Sequence, residues 1–113
     1  MKISKETAEH YIWGTICDGW HLVKNKNLSV IHERMPACTS EVKHYHNNAS
    51  QFFFILKGVA QLDIEGEIIT LTPYEGVEIP PLTAHQMFNN SNSEIEFLVI
   101  SQPTTKDDRV LVD

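Results

Sequence analysis

His44-Tyr45-His46-Asn47-Asn48-Ala49-Ser50-Gln51-Phe52-Phe53-Phe54-Ile55-Leu56-Lys57-Gly58 is the stretch whose reading decides the fold. From Gln51 to Lys57 it is a strand of large apolar side chains, stopped by Gly58. His44 and His46 stand two residues apart, and in an extended segment residues i and i+2 point to the same face. Two imidazoles on one face can share a single ion. Gln51 follows five residues later, at the mouth of the next strand, and a returning strand pair can bring the distant His85 onto the first two. The pattern alone leaves the matter open, because HxH pairs arise by chance and a lone histidine is more often a surface or core residue. His10, His21 and His32 are read in that ordinary way.

Working outward, the chain reads as short strands punctuated by turn residues. Leu28–Arg34 is a strand with β-branched Val30 and Ile31, and residues 36–40 form a loop. Residues 59–64 alternate cleanly, with Val59, Gln61 and Asp63 on one face and Ala60, Leu62 and Ile64 on the other. Glu65-Gly66 makes a tight hairpin turn into a partner strand over 67–72. Further strands are read over 77–79, 83–88 and 95–101. Upstream, Ser4 can cap one short helix over Ser4–His10, and Trp13-Gly14 and Asp18-Gly19-Trp20 read as turns. Residues 102–113 read as a charged tail with a small apolar patch at Val110-Leu111-Val112. Closely spaced short strands of this kind define an all-β sandwich or barrel.

Composition excludes several functions. The chain has 113 residues, 42% of them apolar, which suits one domain with a real core. Its net charge is −6 and its nine lysines and arginines are scattered, which argues against nucleic acid or an anionic membrane as partner. No apolar run is long enough to span a bilayer, and the polar start does not resemble a secretion signal. Cys17 and Cys38 form no CxxC pair and read as reduced thiols, so a cytoplasmic location is expected.

Two spaced motifs now carry a resemblance. His44-x-His46-x4-Gln51-x6-Gly58 resembles the first cupin motif, which has two histidines, an acidic residue and a closing glycine. Gly76-x3-Pro80-x4-His85-x3-Asn89 resembles the second, and the hairpin of residues 59–72 between them has the short length of small bacterial cupins. The resemblance spans residues 28–101. It implies a double-stranded β-helix, a jelly-roll barrel, which fits the single domain expected over 1–113 with the N-terminal helix and arm (1–27) ahead of it. It also implies one divalent transition metal ion (Fe, Mn, Ni, Cu or Zn) held by His44, His46 and His85. Two positions depart from the family pattern: Gln51 replaces the usual glutamate, and Leu82 stands where a glycine is usual.

Gln51 offers a neutral amide oxygen and no titratable proton. With a divalent ion, three imidazoles and an amide leave the site two units positive and inviting to anionic ligands. If Gln51 points inward, Phe53 and Ile55 do so too, and Met87 shares the face of His85. These residues, with Glu33 as a candidate base, form the expected pocket for a small-molecule ligand. Phe52, Phe54 and Leu56 then point outward, and covering them calls for the N-terminal segment or a second subunit; a homodimer is expected. An apolar pocket and a neutral Gln51 favour oxygen chemistry of the dioxygenase type over sugar isomerisation, which usually wants a carboxylate base and a polar pocket. A non-catalytic ligand-binding cupin and a sugar isomerase or epimerase are the alternatives.

Overall fold

A computed structural model describes all 113 residues. It is built from twelve strands: β1 Glu9–Trp13, β2 Cys17–Lys24, β3 Ser29–Met35, β4 Thr39–Ser40, β5 His44–Tyr45, β6 Ser50–Lys57, β7 Ala60–Ile64, β8 Glu67–Leu71, β9 Gly76–Ile79, β10 His85–Asn89, β11 Ile95–Gln102 and β12 Val110–Leu111. One antiparallel sheet runs β1-β2-β3-β11-β6-β9. The other runs β12-β5-β10-β7-β8, with β4 pairing the far end of β10. The two sheets face each other as a jelly-roll barrel.

The inward faces follow the two-residue period of each strand. Gln51, Phe53 and Ile55 point in from β6, and Ile95, Phe97, Val99 and Ser101 from β11. The inner residues of β7 are Ala60 and Leu62. Polarity changes along the barrel axis. Ser101, Gln51 and His85 sit toward one end, while Met35, Ile55, Leu62, Met87, Ile95 and Phe97, each at most 1% exposed, fill the other. Burying side chains of this size is worth roughly 1.5–3 kcal/mol each, so the apolar end anchors the fold and the polar end is free for chemistry. Asn89 seals the apolar end. Its Nδ2 donates to the carbonyls of Met35, Pro36 and Ser93 at 3.1, 3.1 and 2.8 Å, tying β10 to the end of β3.

The expected N-terminal helix is absent. Ser4 does accept from the N–H groups of Thr7 and Ala8 at 3.1 and 2.8 Å, but the turn stops there. From Glu9 the chain extends and pairs with β2, His10 opposite Trp20 and Tyr11 opposite Gly19. A single helical turn cannot sustain itself, whereas the aromatic and β-branched run Tyr11-Ile12-Trp13 gains an edge-strand partner. Gly19 lies mid-strand and not in a turn. A Cβ there would sit 2.3 Å from the Tyr11 ring, so the missing side chain lets that ring lie across β2. No helix of the structure is long and apolar enough to cross a membrane.

The outer face of the first sheet carries Trp20, Val30, Leu98, Ile100 and Phe54, all half-buried, and the exposed Phe52. Lys5 reaches over the Trp20 ring at 4.5 Å and pairs with Glu96 at 2.6 Å, so the N-terminal turn covers that flank alone. Phe52 and Phe54 stack on each other at 6.1 Å toward the β9 edge, well away from β1.

Gly58 closes the first motif at φ +84°, and a Cβ there would lie 2.7 Å from the Glu94 carbonyl. Leu82 adopts φ +65°, which explains why a glycine suits that position. A left-handed leucine costs about 1–2 kcal/mol, and its side chain is 64% exposed, so little burial offsets the strain. Leu82→Gly is therefore expected to gain about 0.5–1 kcal/mol net of glycine's entropy. That corresponds to a melting temperature roughly 3–6 °C higher by thermal unfolding. A lower melting temperature would show that the leucine side chain makes a favourable contact outweighing its backbone strain.

Candidate metal centre

Three strand ends converge at the polar end of the barrel. His85 opens β10 and pairs directly with His44 on β5, so two imidazoles are placed side by side by register alone. His46 follows His44 by two residues and returns to the same face. Ring centroids of His44 and His85 are 4.5 Å apart, those of His44 and His46 4.9 Å, and those of His46 and His85 5.8 Å. The three can each offer one nitrogen within 4.8 Å of the others, and all three are buried.

The tautomers are set by the backbone. Nδ1 of His44 lies 2.7 Å from the Val42 carbonyl, Nδ1 of His46 2.6 Å from that of Asp108, and Nδ1 of His85 2.9 Å from that of Thr83. A carbonyl only accepts, so every Nδ1 carries the proton and every Nε2 keeps its lone pair for the interior. Metal-binding histidines are oriented in this way by an outer hydrogen bond. Burial lowers the pKa of all three, His44 to about 4, which keeps the rings neutral and able to ligate near pH 7.

Nε2 of His46, Nε2 of His85 and Oε1 of Gln51 are buried without any hydrogen-bond partner. Orphaned buried acceptors cost about 1–3 kcal/mol each unless something fills the space between them. Gln51 Nε2 donates to Ser101 Oγ at 3.1 Å, which turns the amide oxygen away from that partner. The residues present thus fit a divalent ion: three neutral imidazoles with a carboxamide oxygen beside them, a donor set suited to Zn, Fe, Ni, Cu or Mn.

A cavity of about 200 Å³ lies against this cluster, walled by Phe53, Ile31 and Val99 and by the polar side chains of Tyr11, Glu33, Glu41 and Arg109. Of the expected pocket residues, Glu33 and Phe53 line this chamber. Ile55 and Met87 are placed one strand-period deeper, in the closed core, where alternation puts them on the same face but at a lower level. Tyr11 donates to Glu33 Oε2 at 3.1 Å. Burial raises Glu33 to about 7, against the pull of Tyr11 and Arg109. Burial also raises Glu41 to about 8, helped by the nearby Glu33, while its Oε1 accepts from the Met87 N–H at 2.9 Å.

Residues 104–112 form a strap across the centre. β12 pairs with β5, Leu111 opposite His44. The Asp108 carboxylate accepts from the N–H groups of Asn47, Asn48 and Ala49 at 2.8, 3.0 and 3.0 Å, and the Asp108 backbone carbonyl accepts a hydrogen bond from Nδ1 of His46. Burial alone would raise Asp108, but the donors of Asn48, Asn47 and Ala49 outweigh it and hold the carboxyl below its usual range. The sequence does not single out Tyr11, Glu41 and Arg109, which line the chamber, or Asp108, which braces it from behind, because each comes from a segment with no periodic pattern. Cys17 is buried and Cys38 exposed, and both are free thiols.

The chain belongs to the cupin family: the model described as Cupin domain matches residues 31–101. No curated protein matches it in sequence. Solved structures similar in fold include KdgF from a Halomonas species, at TM-score 0.83 and 14% identity, covering 92% of this chain and 95% of that one. A predicted oxalate decarboxylase from Thermotoga maritima aligns at TM-score 0.83 and 16% identity, covering 92% and 100%. A sugar phosphate isomerase of the cupin superfamily from Silicibacter pomeroyi aligns at 0.78 and 18%, covering 92% and 76%. At such identities the likeness is one of fold.

Proposed function

We propose that this protein is a mononuclear metalloenzyme that moves a proton on a small, polar organic molecule, in the manner of an isomerase. The observation that carries the reading is the enclosed Glu33, held by Tyr11, in the same chamber as the inward-facing Nε2 atoms. A bound ion supplies Lewis acidity toward oxygen. The chain's own residues supply the rest. Glu33, poised near pH 7, is suited to take and return a proton. Tyr11 holds its Oε2 in place, and Arg109 offers a fixed positive charge. The sugar phosphate isomerase among the similar structures is in keeping with this chemistry.

The sequence argues for oxygen chemistry from an apolar pocket and a neutral Gln51. Glu33, Glu41 and Arg109 in the chamber remove much of that ground, while the neutral Gln51 and the wall of Phe53, Ile31 and Val99 still favour it as a second reading. The two part on one experiment. The metal-loaded protein is incubated in D₂O with a panel of aldoses, ketoses and enolisable acids, and carbon-bound deuterium is followed by NMR beside an oxygen electrode. Exchange into at least one compound is expected, with Glu33→Gln slowing it at least about 100-fold at unchanged metal content. Oxygen uptake without exchange would replace this reading with the second, and neither signal would leave a ligand-binding role.

The uncovered band of Phe52, Phe54, Leu98 and Ile100 supports assembly as a homodimer through the outer face of the first sheet. Phe54→Glu is expected to halve the mass read by light scattering. A wild-type mass of one chain at micromolar concentration would defeat this.

A further inference from the structure

Two cavities meet at the mouth of the barrel. Beside the 200 Å³ chamber opens a vestibule of about 630 Å³, and Tyr11, Ile31 and Thr105 wall both. The chamber alone falls short of the roughly 300 Å³ at which small-molecule pockets begin, so a substrate of ordinary metabolite size extends into the vestibule.

The vestibule is cationic. Lys24, Lys26 and Lys106 line it, and Arg109 lines the chamber behind. These are four of the nine lysines and arginines in a chain of net charge −6. Lys24 spends its charge on Glu9 at 3.1 Å. Lys26 and Lys106 have no carboxylate within 4.0 Å, whereas Lys5, Lys24, Arg34 and Lys57 are each paired. Two loops bring them together. The Thr104 N–H donates to the Lys26 carbonyl at 3.2 Å, and the Asn25 side chain accepts from Asn27 and Leu28 at 3.0 Å, fixing the turn that carries Lys26. Unpaired cations at the rim of a low-dielectric cleft focus the field and gather anions there.

We infer that the vestibule seats the anionic end of the substrate, a carboxylate or phosphate group against Lys26 and Lys106, while the other end reacts in the chamber. The inference rests on the metal-centred reading above and adds the substrate class. Three hydroxamates test it on the metal-loaded protein by calorimetry: acetohydroxamate, succinate monohydroxamate and 3-phosphonopropanohydroxamate. All three carry the same metal-binding head, and only the last two carry a charged tail. At low salt a charged-tail probe is expected to bind about tenfold tighter than acetohydroxamate, an advantage that salt screens. The advantage is expected to vanish when Lys26→Ala and Lys106→Ala are combined, and the tighter of the two charged probes assigns the tail as carboxylate or phosphate. Equal affinity of all three, or an advantage that survives the double substitution, overturns the vestibule while leaving the metal centre standing. Binding of none overturns the metal centre and this inference with it.

Discussion

His46→Ala combined with His85→Ala is expected to leave the protein with no metal at all. The wild-type chain, purified without tag or chelator, is expected to carry one equivalent by elemental mass spectrometry. The double variant removes two of the three buried imidazoles whose Nε2 atoms face the interior. His44 and a neutral Gln51 cannot hold an ion against water. Folding should survive the change, because it also removes two orphaned acceptors from a region that contributes little apolar core. Circular dichroism of the variant checks that point. In the same assay, Gln51→Glu is expected to tighten the metal, since a charged oxygen replaces a neutral one at the same place. A double variant that kept a full equivalent would show that these histidines are not the ligands.

Asp108→Ala keeps the backbone carbonyl that accepts from His46 but frees the turn and strap that hold it in place, and is expected to weaken metal binding about tenfold, the low end of the usual cost of disturbing an outer partner of a liganding histidine. Asp108 never reaches the ion. Its carboxylate gathers three N–H groups of the turn between His46 and Gln51, and its carbonyl orients His46. Losing three charge-assisted hydrogen bonds should also cost roughly 2–3 kcal/mol of stability, read by denaturant unfolding of the metal-free protein. Asp108→Asn, which keeps one acceptor oxygen, should recover part of both effects. Metal affinity unchanged in Asp108→Ala, measured by competition with a chelator of known strength, would show that the strap and the centre are independent.

Much of the architecture is legible from local pattern. The hairpin around Glu65-Gly66 and the alternation of residues 59–64 place β7 and β8 within a residue of where they lie. Family motifs place the histidines, because the spacing of residues on paired strands is a property of the chain. The failures have a common cause. Local pattern places a turn at Gly19, where the missing side chain instead makes room for an aromatic ring from the neighbouring strand. Residues 4–10 offered a helix cap, and edge pairing with β2 outweighed it. Glu41, Asp108 and Arg109 act across separations of about sixty residues or through a cavity wall. No periodicity marks such partners, and a carboxylate in a charged tail looks like any other until the tail is seen lying across the barrel.

The order in which the chain is synthesised gives the strap a further consequence. β11, which joins β3 to β6 in the middle of the first sheet, is the second-last strand to be made, and the strap that orients His46 comes after it. A growing chain holds all three histidines by residue 85, with the Val42 and Thr83 carbonyls that orient His44 and His85, yet the Asp108 carbonyl that orients His46 is made only later. The three-imidazole arrangement is therefore complete only in the finished barrel, with His46 the last of the three to be held in place.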